Sequence, residues 1–210
     1  MAEDPIIREV LADRYCRGCV VRGREDLVEV RDRALRLKMQ YVPLIIEKLL
    51  VSESPPTKMQ VQPERYFYAP GKILYGTLFY FTMSVLFGKE MKSYKTLNKE
   101  YFLEKFRSEG FFLIDMVKCP IDKLLKRKKM KAMESCAKYL ERELHALKFR
   151  RVIVIGKGSF KIVSKRLDPS FSPVILPLPF GSRRNVENYV AALKRAVRRE
   201  PTPMKSHLLQ

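Results

Sequence analysis

The sequence predicts a single α/β domain: a four-stranded parallel sheet flanked by helices in three αβα layers. Four short apolar runs alternate with segments of helical periodicity, which is typical of parallel sheets wrapped by helices. The length of 210 residues fits one domain with a full core. Apolar residues make up 46% and charged residues 31%, which indicates a globular chain. We expect the domain to cover residues 1–199 and a flexible tail to follow at 200–210.

The predicted strands are short and buried. They are Leu49–Val51, Phe111–Val117, Val152–Ile155 and Val174–Leu176. The predicted helices are Pro5–Arg22, Glu25–Met39, Lys72–Phe87, Asn98–Arg107, Ile121–Leu147 and Asn185–Arg199, with a further short helix after Gly156. The first two form an N-terminal helical region at residues 5–39.

Functional residues of parallel sheets lie on loops that follow the carboxyl ends of the strands. Those loops are predicted at Ser52–Pro56, Asp115–Pro120, Gly156–Ser159 and Pro177–Arg184.

The chain is strongly basic, with 42 Lys and Arg against 23 Asp and Glu and a net charge of +19. Such a charge attracts polyanions, of which nucleic acid is the commonest soluble one. The excess is spread along the chain, which favours nucleic acid, although a ribosome-like or membrane-surface binder and a generally basic proteome stay open. No run reaches the roughly 18 apolar residues of a membrane span. The N-terminus lacks a signal-peptide pattern, so a cytoplasmic protein is expected.

Four cysteines form two groups along the chain. Cys16 and Cys19 make a C-x2-C motif, Cys119 follows the second strand, and Cys136 lies on the next helix. Structural disulfides are rare in cytosolic proteins. Four thiolates without a suitably placed histidine suit either zinc or an iron–sulfur cluster, and their spacing does not separate the two. Thiols that serve only as small buried apolar groups are the alternative.

The order and context of these cysteines resemble the iron–sulfur uracil-DNA glycosylases of thermophiles and many bacteria. Those proteins carry an N-terminal C-x2-C, a Val-Lys-Cys after the second core strand and a fourth cysteine on the next helix. Here these are Cys16 and Cys19, Val117–Cys119, and Cys136. The resemblance covers residues from about 15 to about 197. It implies a structural [4Fe–4S] cluster held by all four cysteines, with zinc as the alternative.

The same resemblance implies a DNA repair enzyme that hydrolyses the N-glycosidic bond of a flipped, damaged base. Ser52–Pro56 stands where the family has Gly-Glu-Ala-Pro-Gly, and Glu53 and Pro55 match that motif. Glu53 is the candidate for activating water, and Ser54 beside it belongs to the implied catalytic loop. A solvated loop glutamate is the alternative. The expected partner of the protein is DNA, either single- or double-stranded. We expect the protein to be a monomer that is associated with the nucleoid.

Three consecutive aromatics stand where the family places its base-stacking residue. They are Tyr66, Phe67 and Tyr68. Every base has a π face, so stacking on an aromatic ring stabilises a flipped base without much selectivity. Ordinary core packing is the alternative for these side chains.

Asp115 departs from the family pattern, which has Asn before the Val-Lys-Cys segment. An amide both donates and accepts, whereas an ionised carboxylate only accepts. Uracil offers an N–H and a carbonyl at that edge, so Asp115 would serve it less well unless the carboxyl is protonated. Asp115 therefore predicts a pocket for another damaged base or one with loose base selection. The alternative is that Asp115 caps a turn.

A second departure lies in the loop after the last strand. Phe180 falls approximately where relatives place a His that hydrogen-bonds the leaving base, and Phe180 has no donor. Ser182, Arg183, Arg184 or the Gly181 amide would have to replace it. Phe180 also fits an apolar wedge for the minor groove, and the two arginines fit phosphate contacts. A nucleic-acid-binding member of the fold that has lost catalysis is therefore the alternative function, and a zinc-stabilised interaction module is a third.

Overall fold

The structure is a computed structural model that describes residues 24–93 and 98–198. The predicted helix at residues 5–22, with Cys16 and Cys19, lies outside the described residues, as does the predicted tail. The described chain contains four strands, β1 (Ile46–Ser52), β2 (Phe111–Asp115), β3 (Phe149–Ile155) and β4 (Val174–Leu176).

The strands form one parallel sheet in the order β2-β1-β3-β4. This confirms the predicted four-stranded parallel sheet. The second halves of the two inner strands are continuous apolar runs, Leu49–Val51 in β1 and Val152–Ile155 in β3, and Leu49, Leu50 and Val51 are fully buried. Burial on both faces of the sheet requires such runs rather than alternation of apolar and polar residues.

Helices flank the sheet. They are α1 (Glu25–Met39), α2 (Leu78–Leu86), α3 (Lys99–Ser108), α4 (Lys126–Ala146), α5 (Lys157–Val163) and α6 (Arg183–Arg198). In the described part of the chain, none of them combines the length and apolarity needed to cross a membrane.

The helix boundaries match the predictions for α1 and differ elsewhere. The helix predicted at Lys72–Phe87 begins only at Leu78, because Gly76 adopts a φ of +78° and the Thr77 side chain accepts a hydrogen bond from the Tyr80 amide. A threonine in this capping position starts a helix by satisfying a free amide of its first turn. The helix predicted at Ile121–Leu147 begins only at Lys126.

The segment between β1 and α2 contains two 3₁₀ turns, Thr57–Gln60 and Pro63–Arg65, followed by the buried aromatics Tyr66, Phe67 and Tyr68. The Phe67 ring packs against the rings of Phe79 and Phe106, with centroids 5.3 and 5.2 Å away. This loop is therefore part of the hydrophobic core.

Tyr68 covers the outer edge of β2, one of the two edge strands of the sheet. Its hydroxyl accepts a hydrogen bond from the Leu113 amide at 2.7 Å and donates to the Leu113 carbonyl at 3.1 Å. Because β2 is an edge strand, these backbone groups have no neighbouring strand on that side. Tyr68 thus satisfies buried polar groups that the sheet itself leaves unpaired.

Three buried charged side chains join separate parts of the fold. Glu143 on α4 pairs with Lys38 in the last turn of α1 and with Lys118 in the loop after β2. All three side chains are about 2% exposed. Burial alone would raise the pKa of Glu143, but the charges of Lys118 and Lys38 together lower it below its ordinary value. We call Lys38, Glu143 and Lys118 the buried ionic triad.

Replacing Glu143 by Gln is expected to lower the free energy of unfolding by about 3–5 kcal/mol, because two buried ammonium groups lose their counter-charge. Urea denaturation followed by circular dichroism measures this loss. The matched control is Glu141→Gln, on the same helix as Glu143. It removes an exposed ion pair with Arg166 and should cost at most about 1 kcal/mol. Equal losses in the two variants would contradict the importance of the triad.

Replacing Tyr68 by Phe is expected to lower the free energy of unfolding by about 1–3 kcal/mol, since the Leu113 amide and carbonyl then stay buried without partners. Tyr101→Phe is the control, because its hydroxyl bonds Glu90 at the surface. That control should change stability by less than about 0.5 kcal/mol. Identical urea midpoints for Tyr68→Phe and the wild-type protein would show that water replaces the hydroxyl.

Candidate active site

The strands β1 and β2 end side by side at the carboxyl edge of the sheet. Ser52 and Asp115 are register partners at this point. The pairing continues beyond the strands, because the amides of Met116 and Val117 donate to the carbonyls of Ser52 and Glu53, both at 2.9 Å. The loop with Glu53 and the loop after Asp115 therefore leave the sheet together.

Glu53 is half-buried at this edge, and its Oε1 lies 3.1 Å from Nζ of Lys129 in the first turn of α4. Ser54 beside it is also half-buried. Three exposed basic residues, Lys126, Arg127 and Lys128, precede Lys129 on the helix. Sequence reasoning missed Lys129, since nothing in the basic run Lys126–Lys129 distinguishes the lysine that contacts the glutamate.

Both ends of the Glu53 loop are tied to the loop after β2. Beyond Glu53, the Thr57 amide donates to the Asp122 carboxylate at 3.0 Å, and the Thr57 hydroxyl bonds the same oxygen. These contacts hold the backbone around Glu53 in place from both sides. A catalytic carboxylate needs such fixed placement to position a water molecule.

Asp115 is 6% exposed, and both of its carboxylate oxygens accept a hydrogen bond. The Ser52 hydroxyl donates to Oδ1 at 2.5 Å, and the Tyr66 hydroxyl donates to Oδ2 at 3.2 Å. Burial raises the pKa of Asp115, while the Ser52 hydrogen bond and the charges of Lys118 and Lys38 act in the opposite direction. Asp115 and its partner Ser52 are the two positions at which the strand ends depart from the family motifs, and they contact each other.

Tyr66 touches the site through its hydroxyl. Burial and the charge of Asp115 raise the pKa of Tyr66 well above its ordinary value, so the hydroxyl keeps its proton and donates. The backbone carbonyl of Tyr66 accepts a hydrogen bond from the buried Lys99, whose pKa burial lowers to about 7. Phe67 and Tyr68 pack in the core. A stacking role for this segment stays a prediction.

Lys118 connects the site with the buried ionic triad. Its Nζ donates to the Asp115 carbonyl at 2.6 Å and pairs with Glu143. The side chain thereby fixes the turn directly after β2. In the sequence, Lys118 stands out only as a member of the Val-Lys-Cys segment. Its pairing with Glu143 could not be predicted, because the two residues lie 25 positions apart.

The loop after β4 forms the other predicted part of the site. Phe180 is 45% exposed, and Leu178 nearby is similarly exposed. Asn185 stabilises this turn with two hydrogen bonds. Its side-chain Nδ2 donates to the Phe180 carbonyl at 2.6 Å, and its backbone N–H donates to the Ser182 hydroxyl at 3.2 Å. Sequence reasoning missed Asn185.

Two arginines follow Phe180 after Gly181 and Ser182. Arg183 is 93% exposed and pairs with Glu187, and Arg184 is exposed. The order of the strands puts β3 between β1 and β4, so this loop starts roughly 10 Å from the end of β1 along the same edge of the sheet. The predicted apolar and basic side chains thus lie at the carboxyl edge that also carries Glu53 and Asp115.

Two of the four predicted metal ligands are described. Cys119 and Cys136 are both buried. Glu143, which pairs with Lys118 beside Cys119, lies seven residues after Cys136 and therefore on the same face of α4, two turns away. The two thiols thus lie on elements that contact each other through the Lys118–Glu143 pair. Within residues 24–93 and 98–198 no group of three potential ligands is gathered, and Cys16 and Cys19 lie outside those ranges.

Residues 39–200 match the Uracil DNA glycosylase superfamily. No curated protein matches the chain. The matched span includes the whole sheet, the loops at its carboxyl edge and both described cysteines. From this match and the parallel four-stranded sheet, the chain belongs to the uracil-DNA glycosylase superfamily.

Proposed function

We propose that this protein is a DNA glycosylase of base-excision repair that removes uracil or another deaminated base. The observation that carries the proposal is the placement of Glu53 at the carboxyl edge of the parallel sheet. Its carboxylate is half-buried, and the backbone on both sides of it is hydrogen-bonded to the loop after β2. Enzymes that cleave glycosidic bonds commonly use such a carboxylate at an oxocarbenium-like centre.

In the proposed reaction, Glu53 orients a water molecule toward C1′ of the flipped nucleotide. The water oxygen forms a bond to C1′, the bond from C1′ to the base nitrogen breaks, and Glu53 accepts the proton of the water. The negative charge of Glu53 also stabilises the positive charge that develops on the sugar. The departing base takes the bonding electrons and is then protonated.

Donors for that leaving base come from the loop after β4. Phe180 itself supplies none, and the nearby polar groups are the Ser182 hydroxyl, the Arg183 and Arg184 side chains and the Gly181 amide. Loss of one such donor typically costs about 2.7–4 kcal/mol of transition-state stabilisation, so a substitute is needed for fast release of the base.

Contacts with the DNA backbone are proposed for two basic groups at the same edge. One is the run Lys126–Lys128 beside the Glu53–Lys129 pair, and the other is Arg183 with Arg184 beside the exposed Phe180. Cations at this edge neutralise phosphates, and an exposed aromatic fits the gap that a flipped base leaves in the stack.

Replacing Glu53 by Gln is expected to slow base release by about 10²–10⁴-fold, because the amide cannot accept the proton of water. The measurement is formation of alkali-labile abasic sites in oligonucleotides that carry uracil, hypoxanthine or xanthine. The matched control is Glu47→Gln, which changes a glutamate at the opposite end of the same strand. Equal rates for the wild-type protein and Glu53→Gln would remove Glu53 from the mechanism.

A catalytically inactive nucleic-acid-binding protein is the second candidate, and the missing donor at Phe180 favours it. Binding to DNA that weakens steeply with salt, without release of any of the three bases, would support this reading over the enzyme.

We further propose that Cys16, Cys19, Cys119 and Cys136 hold a [4Fe–4S] cluster, with zinc as the alternative metal. Buried thiols on the loop after β2 and on α4 support this ligand set, since cluster ligands are thiolates shielded from solvent. The cluster would be structural and would fasten the N-terminal segment to these two elements. A zinc-stabilised interaction module would follow if the protein held zinc and released no base.

Replacing Cys136 by Ser is expected to remove most of the iron and sulfide and to lower the melting temperature, since metal binding is coupled to folding. The measurement is the iron and sulfide content of anaerobically purified protein, together with its brown absorbance. Ala137→Ser is the control, because it places the same hydroxyl at the neighbouring buried position. Wild-type protein without iron, or full iron content in Cys136→Ser, would contradict the proposed cluster.

A further inference from the structure

The side chain of Glu53 has less support than its backbone. The Glu53 carbonyl accepts a hydrogen bond from the Val117 amide at 2.9 Å, and Thr57 farther along the loop is bonded to Asp122. Neither contact reaches the carboxylate. In the described part of the chain, the carboxylate accepts a hydrogen bond from one side chain, Lys129, whose Nζ lies 3.1 Å from Oε1. The direction of the carboxylate therefore depends on Lys129.

Lys129 differs from the other basic residues at the start of α4. The side chains of Lys126–Lys128 are exposed, whereas that of Lys129 is 27% exposed. The backbone of Lys129 is fixed as well, because its amide donates to the Leu125 carbonyl at 2.9 Å in the first turn of the helix. The ammonium group is therefore presented to Glu53 from the regular backbone of a helix.

The geometry of this ion pair suits a carboxylate that must orient water. A free glutamate side chain samples several rotamers, and a contact that selects one of them removes this freedom. Lys129 engages Oε1, and no other described residue donates to the carboxylate, so Oε2 keeps its acceptor positions for a water molecule. The rate of catalysis is sensitive to such placement, because an error of about 1 Å can cost about 10²-fold.

We propose that Lys129 is a positioning residue of the glycosylase reaction: it holds the Glu53 side chain in the direction from which Oε2 orients the attacking water. The inference rests on the proposed function and adds a residue to the same site. It assigns Lys129 a task that Lys126–Lys128 do not share, since the exposed side chains of that run face the solvent and are left to the DNA backbone.

The test separates the rate of base release from the affinity for DNA. Single-turnover rates are measured with protein in saturating excess over the oligonucleotide whose base, uracil, hypoxanthine or xanthine, the wild-type protein releases fastest. Fluorescence anisotropy gives the dissociation constant on the same DNA. The variant is Lys129→Met, because methionine keeps an unbranched side chain of similar helix propensity without the charge. The matched control is Lys131→Met, which removes an exposed lysine two residues later on the same helix.

Lys129→Met is expected to slow base release at saturation about tenfold, whereas Lys131→Met should stay within about twofold of the wild-type rate. Lys129→Arg should restore most of the rate, because a guanidinium also donates to a carboxylate. In the Glu53→Gln background, Lys129→Met should cause no further loss, since the carboxylate that Lys129 positions is already absent.

Several results would overturn the inference. They are a rate for Lys129→Met that is within about twofold of the wild-type rate or above it, an equal loss in Lys131→Met, and a Lys129→Arg variant no faster than Lys129→Met. A multiplicative loss in the double variant would overturn it as well, because Lys129 would then act on the DNA rather than through Glu53.

Circular dichroism establishes that each variant is folded. If Lys129→Met does not fold, Lys129→Gln takes its place with the same expectation, because it also removes the charge and shortens the side chain. Base release that is slowed by Glu53→Gln and not by the Lys129 variant would overturn this inference and leave the proposed function standing. Wild-type protein that releases none of the three bases would overturn both.

Discussion

The buried carboxylate of Glu143 is the constraint on which the arrangement of this molecule depends. It lies between two ammonium groups in the interior, and those two lysines come from α1 and from the loop after β2. A buried charge is tolerated only with a close and well-oriented partner, so the three elements have little freedom to move relative to one another. Lys118 then transmits this placement to the end of β2 through the Asp115 carbonyl.

The register of the parallel strands β1 and β2 determines which side chains meet at the carboxyl edge of the sheet. Ser52 and Asp115 are opposite each other where β1 and β2 end, and the backbone pairing extends to Glu53 and Val117. Side chains from segments 63 residues apart are thus placed within hydrogen-bonding distance by the sheet alone. The hydroxyl at position 52 and the carboxylate at position 115 form one interacting unit, and a change in either alters the environment of the other.

Much of the fold could be predicted from periodicity. The four strands and the bounds of α1 follow from local patterns of apolar residues, because such patterns are set by which face of an element is buried. Helix starts were harder, since the start of α2 depends on Gly76 and Thr77 rather than on the apolar run. In the site, the loops at the carboxyl edge followed from topology. The pairing of Glu53 with Lys129 and of Glu143 with its two lysines could not be predicted, because the partners lie 25 to 105 residues apart and no short-range pattern encodes them.

The hydroxyl of Tyr68 has a consequence for how the molecule behaves in a crowded solution. An exposed edge strand is a template on which another extended chain can assemble, which leads to fibrous or amorphous aggregates. Here one margin of the sheet is covered at Leu113 by an aromatic side chain from the same molecule, and the opposite margin is a strand of only three residues. Neither margin offers a long run of unpaired backbone to a neighbour, so a sheet whose inner strands end in the apolar runs Leu49–Val51 and Val152–Ile155 is protected against growing from one molecule into the next.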